Sequence, residues 1–396
     1  MKWKTSKMSD IALSIQPGPF GSQLHSSDYS DAGTPIIMPK DMIDGHISHS
    51  NLVYVSDEHV ERLSRHQVHA GNLMVARKGD VRKCVFITNN EEGWMTGSDC
   101  LKVALNEEKC VPKFIYYQLR SPYIGKWLET ISIGATMPSI NTGLLSGIEL
   151  YLPDINTQKK ISDVLSNYDE LIQNNQKQIR LLEEAAQRLY KEWFVDLHFP
   201  GYEDVQIIDG VPEGWCSKTL NEIADVVMGQ SPKSEFYNNN YEGLPFHQGV
   251  GSYGTRFVKD STYSSSYTKI AEAGSILFSV RAPVGRLNIT KNKIVIGRGL
   301  AAMNHREGLQ SYLFYLLKER FFKEDMVGNG SIFASISKNE LLDQKFIIPN
   351  YEVAKRFNEI ADVIDQKIAL LDSLVAFMTE ARDRLLPKLM SGEIEL

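Results

Sequence analysis

From Leu152 to Phe194 the chain carries apolar residues at a sustained period of 3.5. Alternating steps of four and three land on Ile161, Leu165, Tyr168, Ile172, Asn175, Ile179, Leu182, Ala186, Leu189 and Trp193, nine of them apolar. In a chain that is 42% hydrophobic overall, such a run marks a coiled-coil helix. At 1.5 Å per residue, about 38 helical residues make a rod of roughly 57 Å. A shift of 196 residues finds a second rod on Phe357, Ala361, Ile364, Ile368, Leu371, Val375, Met378, Arg382, Leu385 and Leu389. Identities at the same offset (Ser139/Ser335, Pro153/Pro349, Asp169/Asp365, Glu184/Glu380, Ala185/Ala381, Arg188/Arg384) make this an internal duplication of a domain-plus-helix unit.

The repeat divides the chain into a globular domain at 1–152, a helix at 153–195, a linker at 196–211, a second globular domain at 212–349, a second helix at 350–390 and a tail at 391–396. Short strand-like runs mixed with a few helical ones (TPIIMP, GNLMVAR, GSILFSV) predict α/β or α+β domains. Asp154 or Asn156 can cap the first helix and Asn350 the second. Pro387 should end or kink the second, since proline lacks the helical N–H. A chain path that leaves the first domain, reaches the second and returns predicts two antiparallel helices related by a pseudo-twofold axis, with the C-terminus near Met1.

No window approaches 18 consecutive apolar residues, and MKWKTSKMSD lacks the apolar stretch of a secretory signal. The four cysteines show no framework spacing. A cytoplasmic protein with no membrane contact is expected. The net charge is −6, but residues 211–350 carry 16 Lys and Arg against 13 acidic residues, so the acidity sits in the helices and their flanks. That distribution permits phosphate contact by the globular parts. The chain has no P-loop, no NPPY-like tetrad and no nuclease pattern. GVGSYG at Gly249–Gly254 matches a dinucleotide fingerprint, yet TRFVKD follows instead of a helix. The pairs His46/His49 and His66/His69 lack a third metal ligand, and solvated or hydrogen-bonded histidine is the better reading.

LPDINTQKKI leading into a heptad helix, the loop GPFGSQL, the ending LLPKLMSGEIEL and the duplicated plan together resemble the DNA-specificity (S) subunit of type I restriction-modification systems. The resemblance covers essentially the whole chain. It implies two globular target-recognition domains separated by two long antiparallel helices in a coiled coil. It also implies a non-catalytic role on double-stranded DNA, with two modification (methyltransferase) subunits and, for cleavage, restriction (translocase/nuclease) subunits as partners. S-adenosylmethionine, ATP and Mg²⁺ would belong to those partners, and this chain would hold no cofactor or metal. Each domain would then read one half of an asymmetric bipartite target, while the helices set the spacer. A coiled-coil scaffold whose duplicated domains bind protein is the alternative.

For the DNA-contacting surface, the sequence nominates Ser22, Gln23 and His25 after GPFG, and Arg77, Lys78, Arg82 and Lys83 in the first domain. In the second it nominates His247, Gln248 and Tyr253, then Arg281, Arg286, Lys291, Lys293 and Arg298 from a run free of acidic residues between Glu272 and Glu307. Arginine suits guanine and glutamine adenine, and any of these cations can meet phosphate. The heptad positions, including Asn175, form the expected coiled-coil core. Asn175 and Arg382, the two polar exceptions, either fix the helix register or face outward.

Overall fold

A computed structural model of the 396-residue chain describes residues 3–134, 137–321 and 335–396. It contains two compact units, Met1–Asn175 with Leu374–Leu396, and Gln176–Ser373.

The first unit is built on a four-stranded antiparallel sheet in the order Ala12–Pro17, Cys100–Leu105, Leu73–Ala76, Cys84–Phe86. Side chains alternate across a strand, and here both faces are covered. Leu73, Val75, Leu101 and Val103 join the core formed with the helices. Met74, Ala76, Val85 and Cys100 pack with Ile37, Met42 and Val68 on the other side. That explains why the strand LMVA is apolar throughout rather than alternating. A smaller sheet sets Thr34–Ile37 parallel to Met95–Thr96. A ribbon of Lys4–Lys7 against Glu149–Leu152 leads into the first long helix.

The second unit repeats the plan. Its four strands are Ala224–Met228, Leu300–His305, Ile276–Ser279 and Leu287–Ile289. Leu244–His247 lies parallel to Ile294–Ile296, and Cys216–Thr219 pairs with Lys345–Ile348. Alternate residues again feed two cores, Ile276 and Phe278 toward the helices and Leu277 away from them.

The long helices span Ile155–Phe194 and Tyr351–Ser391. Asp154 caps the first by accepting from the Thr157 N–H at 3.0 Å, and Asn350 caps the second from the Val353 N–H at 3.0 Å. Their segments pair antiparallel within each unit. In the first, Lys160 reaches the Leu396 carbonyl, Asp169 meets Arg382 and Asn175 meets Met378. In the second, Tyr190 and Trp193 pack on Phe357, while Ala186 shares their core with Ala361. The C-terminal segment packs near Trp3, which lies with Ile394 against the core of the first unit.

Of the two outcomes expected at Pro387, an end to the helix is ruled out: the second helix runs to Ser391, close to the expected limit of 390, because Leu386, Leu389 and Met390 are buried in the first unit's core on either side of the exposed proline. The stretch after the first helix is more than a linker. Phe199 is buried beside Trp215, and Ile207–Ile208 pairs with Val211–Pro212 in a small hairpin.

Candidate nucleic-acid interface

In both units the central sheet ends at a point where two loops cross at backbone contact. A Cβ on Gly18 would lie 1.9 Å from the Gly97 carbonyl oxygen, and one on Gly229 would lie 2.1 Å from that of Gly297. Only glycine allows so close an approach. The crossing is fixed from beneath by the parallel strand pair, with Gly97 N–H donating to Ile37 O and Gly297 N–H to His247 O, each at 2.8 Å. The crossing therefore presents two loops side by side at equivalent places, and the side chains on them differ.

In the first unit, Phe20, His25, Arg77, Lys78 and Asp99 line an open cleft of about 460 Å³. The Arg77 guanidinium sits over the exposed Phe20 ring at 5.2 Å, and Lys78 pairs with Asp99 at 3.1 Å. Gln23 is half-buried on the same loop, its carbonyl accepting from Arg62. The side chain of Ser22 lies outside the described residues. Arg82 and Lys83, contiguous with Arg77 in sequence apart from a turn, do not join this cleft. Arg82 pairs with Asp80 and Glu129, Lys83 donates to Pro39 O at 2.9 Å, and both line a separate cleft.

In the second unit the crossing brings together Ser231, Gln248 and Arg298. The Ser231 hydroxyl donates to Gln248 Oε1 at 3.0 Å and accepts from the Arg298 N–H at 3.2 Å. Gln248 and Arg298 are exposed, as is Arg281 at the end of its strand. Arg286 is half-buried, and Lys293 pairs with Glu272 at 2.8 Å.

Three nominated groups face elsewhere. His247 is 1% exposed, with both ring nitrogens taken by Ser252 (2.7 Å) and Asp260 (2.9 Å), because it occupies the inward position that Ile37 holds in the first unit. Tyr253 packs against the second unit's outer core, and burial pushes its hydroxyl well above the ordinary range. Lys291 donates to Asp372 and Ser373 on the second long helix. The GVGSYG segment forms a short turn, Val250–Ser252, and a loop. His49 bonds Glu91 and His69 bonds Glu92, and no group of three metal-ligating side chains occurs among the described residues.

On the helices, Ile161, Leu165, Ile172, Asn175, Ile179, Phe357, Ile368 and Leu371 are buried, while Tyr168, Leu182, Leu189, Ile364, Val375, Met378 and Leu385 are half-buried. Arg382 faces inward and donates to Asp169 at 2.6 Å; Asp169 also accepts from the Tyr117 hydroxyl at 2.7 Å. Burial alone would lower the Arg382 guanidinium, but its bonds to Asp169 and Asp383 outweigh that and hold it above its ordinary value. The second unit repeats the tyrosine and the acid as Tyr315 and Asp365, 2.8 Å apart, and supplies the cation from Arg256. The identity of Asp169 and Asp365 at the repeat offset signals this cluster in the sequence; nothing there signals Arg256.

Two recognition units of one plan, each with a different polar surface at a glycine crossing and each mounted on paired helix segments, define a duplicated specificity protein. The model of the type I restriction modification DNA specificity domain matches residues 1–184 and again 212–374. The chain belongs to that family, whose members are the non-catalytic subunits that give type I restriction-modification complexes their DNA sequence specificity. It is 28% identical over 410 residues to a Methanocaldococcus jannaschii protein provisionally named the type I restriction enzyme MjaX specificity subunit, covering 100% of this chain and 94% of the relative. It is 25% identical over 415 residues to the MjaIX specificity subunit of the same organism, with the same coverage. The crystal structure of a type I restriction-modification S subunit from M. genitalium shares the fold, with a TM-score of 0.65 at 16% identity over 98% of this chain and 96% of that one. Among the described residues no helix is long and apolar enough to cross a membrane.

Proposed function

We propose that the first unit reads one half of an asymmetric bipartite DNA target and the second unit the other half. The observation that carries this reading is the pair of glycine crossings, equivalent in backbone and unlike in side chains. Like scaffolds with unlike surfaces suit two different half-sites. In the first unit Arg77 and His25 contact bases while Lys78 and neighbouring cations contact phosphate. In the second, Gln248 and Arg298 contact bases, with Arg281 on phosphate. Arg82, Lys83 and Lys293 stand at the rim in existing ion pairs or hydrogen bonds, and Arg286 supports the strand end.

The long helices set the spacer and dock two modification subunits, and restriction subunits join that assembly in the cytoplasm. S-adenosylmethionine, ATP and Mg²⁺ act in those partners. Support comes from residues kept identical in both halves although they face outward. Glu184 and Arg188 in the second unit, and Glu380 and Arg384 in the first, are exposed ion-paired residues that match at the repeat offset. A surface with no core to fill, retained twice, fits two copies of one partner.

The test is to co-express the chain with its modification subunits and map methylated bases across the genome, with and without R298A and R77A. R298A is expected to relax one half of a two-part motif and R77A the other, each by about 1–3 kcal/mol of discrimination. A motif unchanged by both would overturn the assignment, and binding without duplex selectivity or steep salt dependence would favour the protein-binding scaffold.

A further inference from the structure

The second unit holds a buried cation that its DNA surface does not use. Arg256 is 3% exposed. Its guanidinium stacks on Phe314 at 3.7 Å, donates to Asp365 at 2.5 Å, and stands 3.8 Å from Glu183, so one side chain from the recognition domain engages both long helices of its unit. Beside it, Lys291 lies over Phe257 at 4.5 Å and reaches Asp372 at 2.7 Å and Ser373 at 2.9 Å. These contacts hold two short segments, 247–260 and 288–292, against the long helices.

The first of these segments also carries the Gln248 loop, and the second is bonded to it. Asn292 bonds Asp260 at 2.8 Å, Asp260 bonds His247 at 2.9 Å, and His247 bonds Ser252 at 2.7 Å. Gln248 follows His247 directly. Backbone bonds between Ile289 and Arg256 and between Val258 and Ile289 tie the two segments together. The first unit is attached differently. Gln173 on its long helix bonds His46, while Tyr116 and Arg120, at the end of the short helix Pro112–Leu119, bond the Gly45 and Asp44 carbonyls, with the Arg120 guanidinium 3.9 Å from Asp169.

We propose that Arg256 and Lys291 are positioning residues that seat the Gln248 loop from the helix side, so that reading of the second half-site, and not the first, depends on them. The proposal rests on the reading that Gln248 faces DNA. A group that touches no base alters discrimination by displacing one that does, and small displacements from well-aligned geometry are costly.

The experiment uses the full chain assembled with its modification subunits, carrying K291Q, R256K or Q248A, with methylation measured at perfect sites and at sites mismatched in one half. K291Q and R256K are expected to raise methylation of second-half mismatches roughly tenfold relative to perfect sites, with first-half mismatches rejected as before. Lysine retains the charge of Arg256 but not its planar fork. If both halves relax together, if neither changes in folded and assembled protein, or if K291Q only weakens all sites uniformly as a lost phosphate contact would, the proposal is wrong. Q248A separates it from its premise. Should Q248A leave second-half discrimination intact, the DNA-reading assignment fails; should Q248A relax it while K291Q and R256K do not, only the seating role fails. Lys291 is partly exposed, so K291Q decides the matter if R256K does not fold.

Discussion

The two units solve the same electrostatic problem with cations from different parts of the chain. In each, a tyrosine on a recognition-domain helix bonds an aspartate on a long helix, Tyr117 to Asp169 and Tyr315 to Asp365. The first aspartate is then paired by Arg382 from the opposite long helix; the second is paired by Arg256 from the recognition domain. At the repeat offset, the position matching Arg382 is Ala186, fully buried in the second unit's core. A buried carboxylate must be compensated nearby or it is strongly destabilising, and that demand constrains where the guanidinium ends up, not where it starts in the sequence. Duplication thus preserved the tyrosine and the acid, which join domain to helix. The cation became a helix-to-helix tie in one unit and a domain-to-helix tie in the other.

The comparison breaks most sharply at Arg382. R382A leaves Asp169, only 7% exposed at its side chain, without its direct ion pair. Removing one partner of a buried pair costs about 3–5 kcal/mol, and the lower end is expected because Tyr117 and the more distant Arg120 still face the acid. Urea unfolding of the full chain measures it. Replacing both members, D169L with R382M, should recover much of the loss, since hydrophobic pairs often match buried ion pairs. A cost under 1 kcal/mol for R382A would mean that the pair is not buried in solution.

Charge reversal at the retained outer surface tests what the halves have in common. R188E and R384E remove the same exposed group from the two units, at side-chain exposures of 84% and 78%. Each is expected to weaken one of two modification-subunit binding steps by about 1–2 kcal/mol while leaving the chain's own stability within about 0.5 kcal/mol. Native mass spectrometry of the assembly counts the bound subunits. Unequal effects would show that the two halves do not dock their partners alike.

What the sequence revealed and what it hid follow from the same contrast. The helices were legible because a 3.5-residue period and an ungapped 196-residue offset survive on a rod that tolerates no insertions. The crossings were not: Gly18 and Gly229 stand 211 apart, but their partners Gly97 and Gly297 stand 200 apart, so no single shift aligns them. Counting charges nominated Arg298, which lies exposed at the crossing, and equally Lys291, whose helix partner lies over 80 residues away in sequence. His247 looked like a reading group because it adjoins Gln248; strand alternation sets it opposite the apolar Phe246, and because both faces of this strand are buried, only tertiary packing shows that it is enclosed. Arg256 lies in a glycine-rich loop with no periodicity, and only tertiary packing gives it a role.

The smallest expected effect is a difference in pH response. His46 in the first unit is half-buried and bonds Gln173 on the long helix; in the second unit the analogous attachment uses arginine and lysine, which keep their charge through the neutral range. Burial lowers the His46 ring below its ordinary 6.5, with Asp169 opposing and Arg120 and Arg382 reinforcing the shift. The folded state therefore holds His46 neutral, while the unfolded chain takes up a proton as pH falls through 6.5. Its contribution to stability is complete above that value and is lost progressively below it. Thermal melts between about pH 7.5 and 5 should show a slope that H46Q flattens, since glutamine keeps a hydrogen-bonding group without a titration in that range. The same melts of K291Q should keep the full slope. If H46Q and the parent chain lose stability in parallel, the acid sensitivity lies elsewhere, and the histidine in the first unit's attachment does not distinguish it from the second in this respect.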